Sequence, residues 1–146
     1  MPVRYVRGDL FASGADVLVI PVNCVGVAGK GLALQCKQRY PEWFASYKEA
    51  CTVRLLVPGY LSLYMLGDCC LVSFPTKDHW RYPSRLDYIE QGLQVFVSNG
   101  GRWHFPENTV AFPQLGCGAG GLSWSQVQPV MEHYLSQLPC TTLIYV

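Results

Sequence analysis

The sequence lacks the features of a membrane protein, a secreted protein or a highly charged one. Its apolar runs end well before the 18 residues that suggest a membrane-spanning helix, and its first residues contain no apolar signal-peptide core. Charged residues make up only 14% of the 146, and a net charge of +1 provides no long-range field for nucleic acid or lipid. We expect a cytoplasmic protein without a membrane partner, in which any nucleic-acid contact is confined to a local patch.

The seven cysteines form neither a disulfide framework nor a metal-binding pattern. Their number is odd, no two are spaced as C-x-x-C, and Cys69 and Cys70 are adjacent. We therefore predict reduced thiols, most of them acting as small buried residues. No other residues have metal-ligand spacing, so we expect no metal and no other cofactor.

What is present is a globular composition in which strand patterns alternate with helix patterns. Half of the chain is hydrophobic, which fits a single domain over residues 1–146. Strand-length apolar runs occupy residues 3–7, 16–22, 61–66, 69–74, 109–112 and 141–146. Apolar residues recur at helical spacing in residues 32–40, 42–51 and 123–138. A further helix is predicted between Ser84, which is expected to cap it, and Asn99. This alternation predicts an α/β fold with a mostly parallel sheet between helical layers.

Two glycine-rich loops follow predicted strands. The first spans residues 23–31, and the second, residues 112–122, leads into the last helix. Glycines allow close approach of the backbone to a ligand, and a helix N-terminus offers unpaired N–H groups to an anion. The second loop taken alone fits a phosphate cradle or a tight turn equally well. Because ligands of parallel sheets lie beyond the carboxyl ends of the strands, we expect both loops at one crevice.

The familiar nucleotide-binding motifs do not fit these loops. Gly116, Gly118 and Gly121 have the spacing G-x-G-x-x-G, but no further strand with a terminal acidic residue follows. Lys30 follows a glycine as in a P-loop, yet the next residue is Gly31 instead of Ser or Thr. A double glycine cradle for a phosphate-bearing ligand is the interpretation that remains.

In order and spacing, several segments resemble the macro domain family. These segments are residues 8–10, 21–35, 40–41, 74–84 and 116–121. The similarity covers essentially the whole chain and is strongest to the DarG-like group, antitoxins that remove ADP-ribose from thymidine in DNA. The most specific segment is residues 74–84, a loop that contains a lysine. With 146 residues, we expect the chain to lack the further C-terminal region of those antitoxins. An excised domain and a free-standing relative are both interpretations that fit this length.

The resemblance implies a three-layer α/β/α fold, with a mixed and mostly parallel sheet, that binds ADP-ribose across the sheet edge. It implies that Asp9 accepts a hydrogen bond from the adenine amino group and that Leu10 offers a backbone N–H. The first glycine loop would surround the distal ribose at Asn23, Gly29, Lys30 and Gly31. Backbone N–H groups of the second loop would hold the diphosphate at Leu115, Gly116, Cys117, Gly118, Ala119, Gly120 and Gly121.

The resemblance also implies that Lys77 is catalytic. In the similar enzymes a lysine amine attacks the anomeric carbon of the distal ribose and displaces the base, and water then hydrolyses the adduct. The amine must be neutral, so desolvation or nearby cations must lower its proton affinity. Without the family pattern, a solvated surface lysine beside Asp78 is the simpler interpretation.

The loop after Lys77 is expected to contact DNA. Arginine binds phosphate and aromatic rings stack on bases, so the expected contacts are His79, Trp80, Arg81 and Arg85. For Trp80, simple packing is an equally good interpretation.

One departure from the family pattern bears on the substrate. A related lysine-using branch that acts on ADP-ribosylated glutamate, as well as on DNA, has an aspartate where this chain has Gly120. Residues 116–122 contain no acid, so the group that activates water stays open. The departure favours a DNA ADP-ribosyl glycohydrolase over a hydrolase of ADP-ribosyl esters on protein. A non-catalytic ADP-ribose reader is the remaining alternative.

The expected partners are ADP-ribose, ADP-ribosylated single-stranded DNA and a DarT-like toxin. We expect the chain itself to be a monomer.

Overall fold

The computed structural model describes residues 3–146, which form a six-stranded sheet and four α-helices. The strands are β1 (Val3–Val6), β2 (Val17–Val22), β3 (Ser62–Leu66), β4 (Cys69–Pro75), β5 (Thr109–Phe112) and β6 (Thr141–Tyr145). The helices are α1 (Gly31–Arg39), α2 (Pro41–Thr52), α3 (Leu86–Ser98) and α4 (Trp124–Leu135). The first two residues of the predicted domain lie outside the described part.

The sheet order is β1-β6-β5-β2-β4-β3. Five strands run parallel to one another, and the edge strand β3 alone pairs antiparallel, in a hairpin with β4. The predicted mixed, mostly parallel sheet is therefore confirmed. The hairpin predicted at Gly67 and Asp68 joins β3 to β4.

The central strand β2 contributes to two hydrophobic cores, one on each face of the sheet. Because successive side chains of a strand point to opposite faces, Val17 and Val19 pack with α3 and α4. Leu18 and Ile20 pack on the other face, against α1 and α2. This arrangement explains the nearly continuous apolar run of β2 and confirms the three-layer architecture.

Two local predictions near the helix termini are wrong. Ser84 does not cap α3, because that helix begins at Leu86 with Arg85 in the N-cap position. Ser84 is buried instead, and its hydroxyl donates to Thr76 Oγ1 at 3.2 Å. Helix α4 ends at Leu135, three residues earlier than expected.

The predicted thiols are free, and four of the seven cysteines are buried: Cys36, Cys51, Cys70 and Cys140. Each helix within residues 3–146 falls short of the length and apolar character that a bilayer crossing demands. Over the same residues, no group of three or more His, Cys, Asp or Glu side chains is arranged to hold a metal ion.

Gly92 of α3 offers a test of the core between this helix and β4. A Cβ at this position would overlap the Phe74 ring, with Cε1 only 2.7 Å away. Alanine in place of glycine normally stabilises a helix by about 1 kcal/mol. In Gly92→Ala we expect overpacking to outweigh this gain and to lower the free energy of unfolding by about 1–3 kcal/mol. Urea denaturation measures the change.

The matched control is Gly100→Ala, since a Cβ on Gly100 meets nothing within 4 Å. Its unfolding free energy should change by no more than about 0.5 kcal/mol. An unchanged or higher stability of Gly92→Ala would contradict the packing described here.

Candidate functional site

The candidate site lies where three adjacent strands end at one edge of the sheet. Strand β2 pairs in parallel with β4 on one side and β5 on the other. Because parallel strands have their carboxyl ends at the same edge, the segments that follow them meet there. These segments are residues 23–31, 76–85 and 113–121. The prediction that the two glycine loops share one crevice is confirmed, and the lysine loop joins them.

These loops enclose a cavity of about 550 Å³. A second cavity of about 520 Å³ adjoins it near the ends of β1 and β6, and both are lined by the same stretch of the second glycine loop. The two neighbouring cavities are together called the cleft below. The predicted site residues that line the cleft are Asp9, Leu10, Asn23, Gly29, Lys30, Gly31, Lys77, Trp80, Gly116, Cys117, Gly118, Ala119 and Gly120.

Five expected site residues line neither cavity: His79, Arg81, Arg85, Leu115 and Gly121. Leu115 is fully buried in the core beneath the glycine loop, so its side chain is unavailable to a ligand. The Arg85 side chain lies on the surface and pairs with Asp87, with 3.0 Å from Nε to Oδ1.

The carboxylate of Asp9 is fixed at the far end of the cleft. Its Oδ1 accepts the Phe11 N–H at 3.0 Å, and its Oδ2 accepts from Arg39 Nη2 at 3.2 Å. Because a carboxylate has about four acceptor positions, it retains capacity for an amino group. Arg39 was not expected here; it lies 30 residues away in the sequence, at the end of α1, and no local signal links it to Asp9.

Asn23 organises the first glycine loop. Its Nδ2 donates to the Val27 carbonyl at 2.8 Å, and its Oδ1 accepts the Val25 N–H at 3.1 Å. The Tyr47 hydroxyl donates to the same Oδ1 at 2.8 Å. The aromatic spacing of α2 correctly predicted Tyr47 as core but did not reveal that its hydroxyl supports the cleft from below.

The glycines of the second loop have two different functions. A Cβ on Gly116 would lie 2.8 Å from Ile89 Cδ1, and a Cβ on Gly120 would overlap the Ser84 hydroxyl. These two glycines are needed for packing. Gly118 has a φ of +66°, and a Cβ there would meet nothing within 4 Å. Since Gly118 lines both cavities, its missing side chain leaves space for a ligand.

Ser84 connects the second glycine loop to the lysine loop. Its N–H donates to the Gly120 carbonyl at 2.8 Å, while its hydroxyl donates to Thr76, the residue before Lys77. The Arg85 N–H also donates to the Thr76 carbonyl at 2.9 Å. The position of Lys77 is therefore tied to the glycine loop that lies opposite it.

Lys77 is a half-buried amine in a cavity without acidic side chains. Partial burial and the charge of Lys30 both lower the pKa of Lys77 from its usual value, burial being the larger cause. Asp9 is the only acidic side chain among the described residues that line the cleft, and it lies in the second cavity. Both effects that favour a neutral amine, desolvation and a nearby cation, are thus present.

Two cysteines near the cleft are poor nucleophiles. Burial, followed by the charges of Asp78 and Cys51, raises the pKa of Cys24 to about 12. Burial also raises the pKa of Cys117, which lines both cavities. Both are therefore protonated thiols at neutral pH, which makes them weak nucleophiles.

The family model of the macro domain matches residues 19–131. This chain belongs to the macro domain family. It is 40% identical over 141 residues to the DNA ADP-ribosyl glycohydrolase of Mycobacterium tuberculosis, covering 94% of this chain and 40% of that protein. With the protein of the same name from Thermus aquaticus, the identity is 38%, covering 93% of this chain and 38% of the relative. The macro domain thus spans about two fifths of the length of these relatives.

Solved structures show the same fold. The macrodomain of Mycobacterium tuberculosis DarG has a TM-score of 0.91 and 40% identity, covering 98% of this chain and 96% of that one. Thermosipho africanus DarTG in complex with ADP-ribose has a TM-score of 0.90 and 37% identity, covering 98% of this chain and 41% of that one.

Gly118→Val tests whether the second loop of this macro domain cradles a ligand. The valine side chain would occupy the open space at the cleft, so we expect the affinity for ADP-ribose to fall at least about tenfold, or 1.4 kcal/mol. Isothermal titration calorimetry measures this affinity. Gly14→Val is the matched control, because Gly14 has a φ of +70°, meets nothing within 4 Å and lines neither cavity.

Both variants place a valine in a left-handed backbone conformation, so both should lose similar stability. Only Gly118→Val should lose affinity. A folded Gly118→Val protein that binds ADP-ribose like the wild type would refute the prediction that the second glycine loop holds the ligand at Gly118.

Proposed function

We propose that this macro domain is a DNA ADP-ribosyl glycohydrolase that removes ADP-ribose from thymidine in single-stranded DNA. The observation that carries the proposal is the position of Lys77, a partly desolvated amine beside Lys30 in a cleft with two glycine loops. The relatives named DNA ADP-ribosyl glycohydrolase support the reaction, and the ADP-ribose complex of Thermosipho africanus DarTG supports the ligand.

The order of the strands suggests how ADP-ribose would lie. The adenine end would be near Asp9 and Leu10, at the end of β1. The diphosphate would pass the second glycine loop after β5, where Gly118 lines both cavities. The distal ribose would then reach Asn23 after β2 and Lys77 after β4. This sequence of contacts follows the sheet order β1-β6-β5-β2-β4 along one edge.

In the proposed reaction the neutral Lys77 amine attacks the anomeric carbon of the distal ribose. The carbon–nitrogen bond to thymine breaks, and the electron pair leaves with the base, which is then protonated. Water adds to the anomeric carbon of the lysine adduct, and the amine is regenerated as ADP-ribose departs. The chemistry resides in the lysine side chain, so the proposal assigns no metal and no other cofactor.

Two alternatives predict different behaviour of the same site. A non-catalytic reader would bind ADP-ribose without cleaving any conjugate, although Lys77 is intact. A hydrolase of ADP-ribosyl esters on protein is disfavoured because Gly120 packs against Ser84, which leaves no space there for an acidic side chain.

The proposal extends to the biological setting. The relative from Thermosipho africanus is named a fusion of DNA ADP-ribosyl transferase and DNA ADP-ribosyl glycohydrolase, at 36% identity over 159 residues. We propose a DarT-like toxin as the functional partner of this chain, and a role in DNA repair by reversal of the modification. We further propose that it acts in the cytoplasm, as a monomer.

The decisive experiment compares the wild type with Lys77→Ala and Lys77→Arg on an oligonucleotide that contains ADP-ribosylated thymidine. We expect only the wild type to release ADP-ribose, detected by mass, because alanine has no amine and the guanidinium of arginine stays protonated. Lys77→Ala should bind ADP-ribose within about tenfold of the wild type, or 1.4 kcal/mol.

Release of ADP-ribose by Lys77→Ala would refute the assignment of Lys77 as the nucleophile. Tight ADP-ribose binding without cleavage by the wild type would instead favour the reader, and assays on protein-linked ADP-ribose would follow.

The pH dependence tests how the amine becomes neutral. Lys77 reacts only when deprotonated, so the single-turnover rate should fall as pH decreases through its lowered pKa. Removing the neighbouring charge in Lys30→Met should raise the pKa of Lys77 and move this acid limb to higher pH. Lys30→Arg retains the charge and should keep the limb near its wild-type position. An acid limb at the same pH in all three proteins would argue against the charge of Lys30 as a cause of the lowered Lys77 pKa.

A further inference from the structure

The loop after Lys77 gathers three aromatic rings and one guanidinium at the rim of the cleft, with His79 stacked on Trp80 and Tyr82 tilted against His79. Trp80 lines the cavity but remains 46% exposed. The His79 ring stacks on Trp80 with centroids 5.5 Å apart, and it lies 5.4 Å from the ring of Tyr82. The Arg81 guanidinium carbon lies 4.8 Å from the centroid of the Trp80 ring, which stays partly exposed. These four residues, His79, Trp80, Arg81 and Tyr82, are called the rim stack below.

The rim stack is held in place by bonds within its own loop. The Tyr82 N–H donates to the His79 carbonyl at 3.0 Å, and the Arg81 N–H donates to His79 Nδ1 at 3.1 Å. Thr76 anchors the start of the loop, since its N–H donates to the Val22 carbonyl at the end of β2. The exposed rings are therefore preorganised, and a ligand that contacts them incurs little cost in ordering the loop.

Exposure separates the rim stack from ordinary core aromatics. Tyr82 is 60% exposed, whereas the stacked pair Trp43 and Tyr47 of α2 is almost fully buried. Contiguous exposed aromatic surface of this kind marks a contact site for a partner. Because Trp80 also lines the cavity, a ligand that occupies the cleft can extend directly onto the rim stack.

The charges near the rim stack favour stacking over phosphate neutralisation. Within residues 3–146 the ion pairs are Arg39 with Asp9 and Arg85 with Asp87, so Arg85 is already paired and Arg81 belongs to neither pair. The 11 Lys and Arg residues are nearly balanced by ten Asp and Glu, so the net charge of +1 gives the chain little overall attraction for a DNA backbone. Flat aromatic rings bind unpaired bases irrespective of sequence, because every base has a π face.

We propose that the rim stack is a nucleobase subsite that holds the base next to the modified thymidine in single-stranded DNA. This inference rests on the proposed function, because the strand that carries the modified nucleotide must leave the cleft across its rim. A duplex would keep the neighbouring base paired and stacked, and its faces would not be available to Trp80 and Tyr82. The contribution of the rim stack to DNA affinity should depend only weakly on salt, because Arg81 is the one arginine or lysine among its four residues.

The test measures affinity in a Lys77→Ala background, in which the substrate stays intact. Two ligands are compared by calorimetry: ADP-ribosylated thymidine as a nucleoside, and the same nucleoside within a single-stranded trinucleotide. We expect the flanking nucleotides to tighten binding by about five- to 100-fold. Adding Trp80→Ala or Tyr82→Ala should remove most of this gain, whereas Trp80→Phe should retain most of it. Tyr60→Ala is the control, since Tyr60 is 62% exposed and lines neither cavity.

Several outcomes would overturn the proposal that the rim stack binds a nucleobase. Equal dissociation constants for nucleoside and trinucleotide would do so, as would an undiminished gain with Trp80→Ala and Tyr82→Ala. A gain that falls steeply with salt and is abolished by Arg81→Gln alone would indicate phosphate binding instead. An equal gain from duplex DNA would exclude an unpaired base. Failure of the wild type to cleave either ligand would count against the proposed function, while the comparison of dissociation constants would still decide the subsite.

Discussion

The parallel pairing of β4, β2 and β5 is the constraint on which the candidate site depends. It brings together three segments that begin at positions 23, 76 and 113, because each follows a strand that ends at the same edge. Reversing one strand of six residues would move its following loop about 20 Å, to the opposite edge of the sheet. The parallel arrangement itself depends on β2, whose side chains are buried on both faces between two helical layers. Core packing and site assembly therefore share one cause.

The lowered pKa of Lys77 depends on the absence of a nearby negative charge from the cavity lining within residues 3–146 as well as on burial. An opposite charge within about 4–6 Å would stabilise the ammonium and raise the pKa of the lysine. The first cavity has no acidic side chain among its described lining residues, and its other amine, Lys30, acts in the opposite direction. Burial and a like charge can then favour the neutral amine without competition. The absence of a carboxylate from the described part of this cavity therefore leaves burial and the charge of Lys30 acting in the same direction on the pKa of Lys77.

The parts of this protein that could be predicted from sequence are those set by periodicity and strand direction. The strands, the helices and the convergence of the glycine loops follow from apolar patterns and the geometry of parallel sheets. Contacts between distant segments could not be predicted. Ser84 has the local signature of a helix cap, but a buried bond to Thr76 fixes it elsewhere. Likewise, Leu115 precedes the glycines in sequence, yet packing places it in the core, and the pairing of Arg39 with Asp9 spans 30 residues.

The absence of an acid at position 120 is enforced by packing as well as by charge. A side chain on Gly120 would collide with the Ser84 hydroxyl, and the Ser84 N–H is bonded to the Gly120 carbonyl. Displacing Ser84 would break its side-chain hydrogen bond to Thr76, the residue that immediately precedes Lys77. An aspartate would also bring a negative charge into the cavity and raise the pKa of the lysine. Steric fit and electrostatics thus oppose the same substitution, so a change to an acid-assisted mechanism at this position would require rebuilding the connection between both loops.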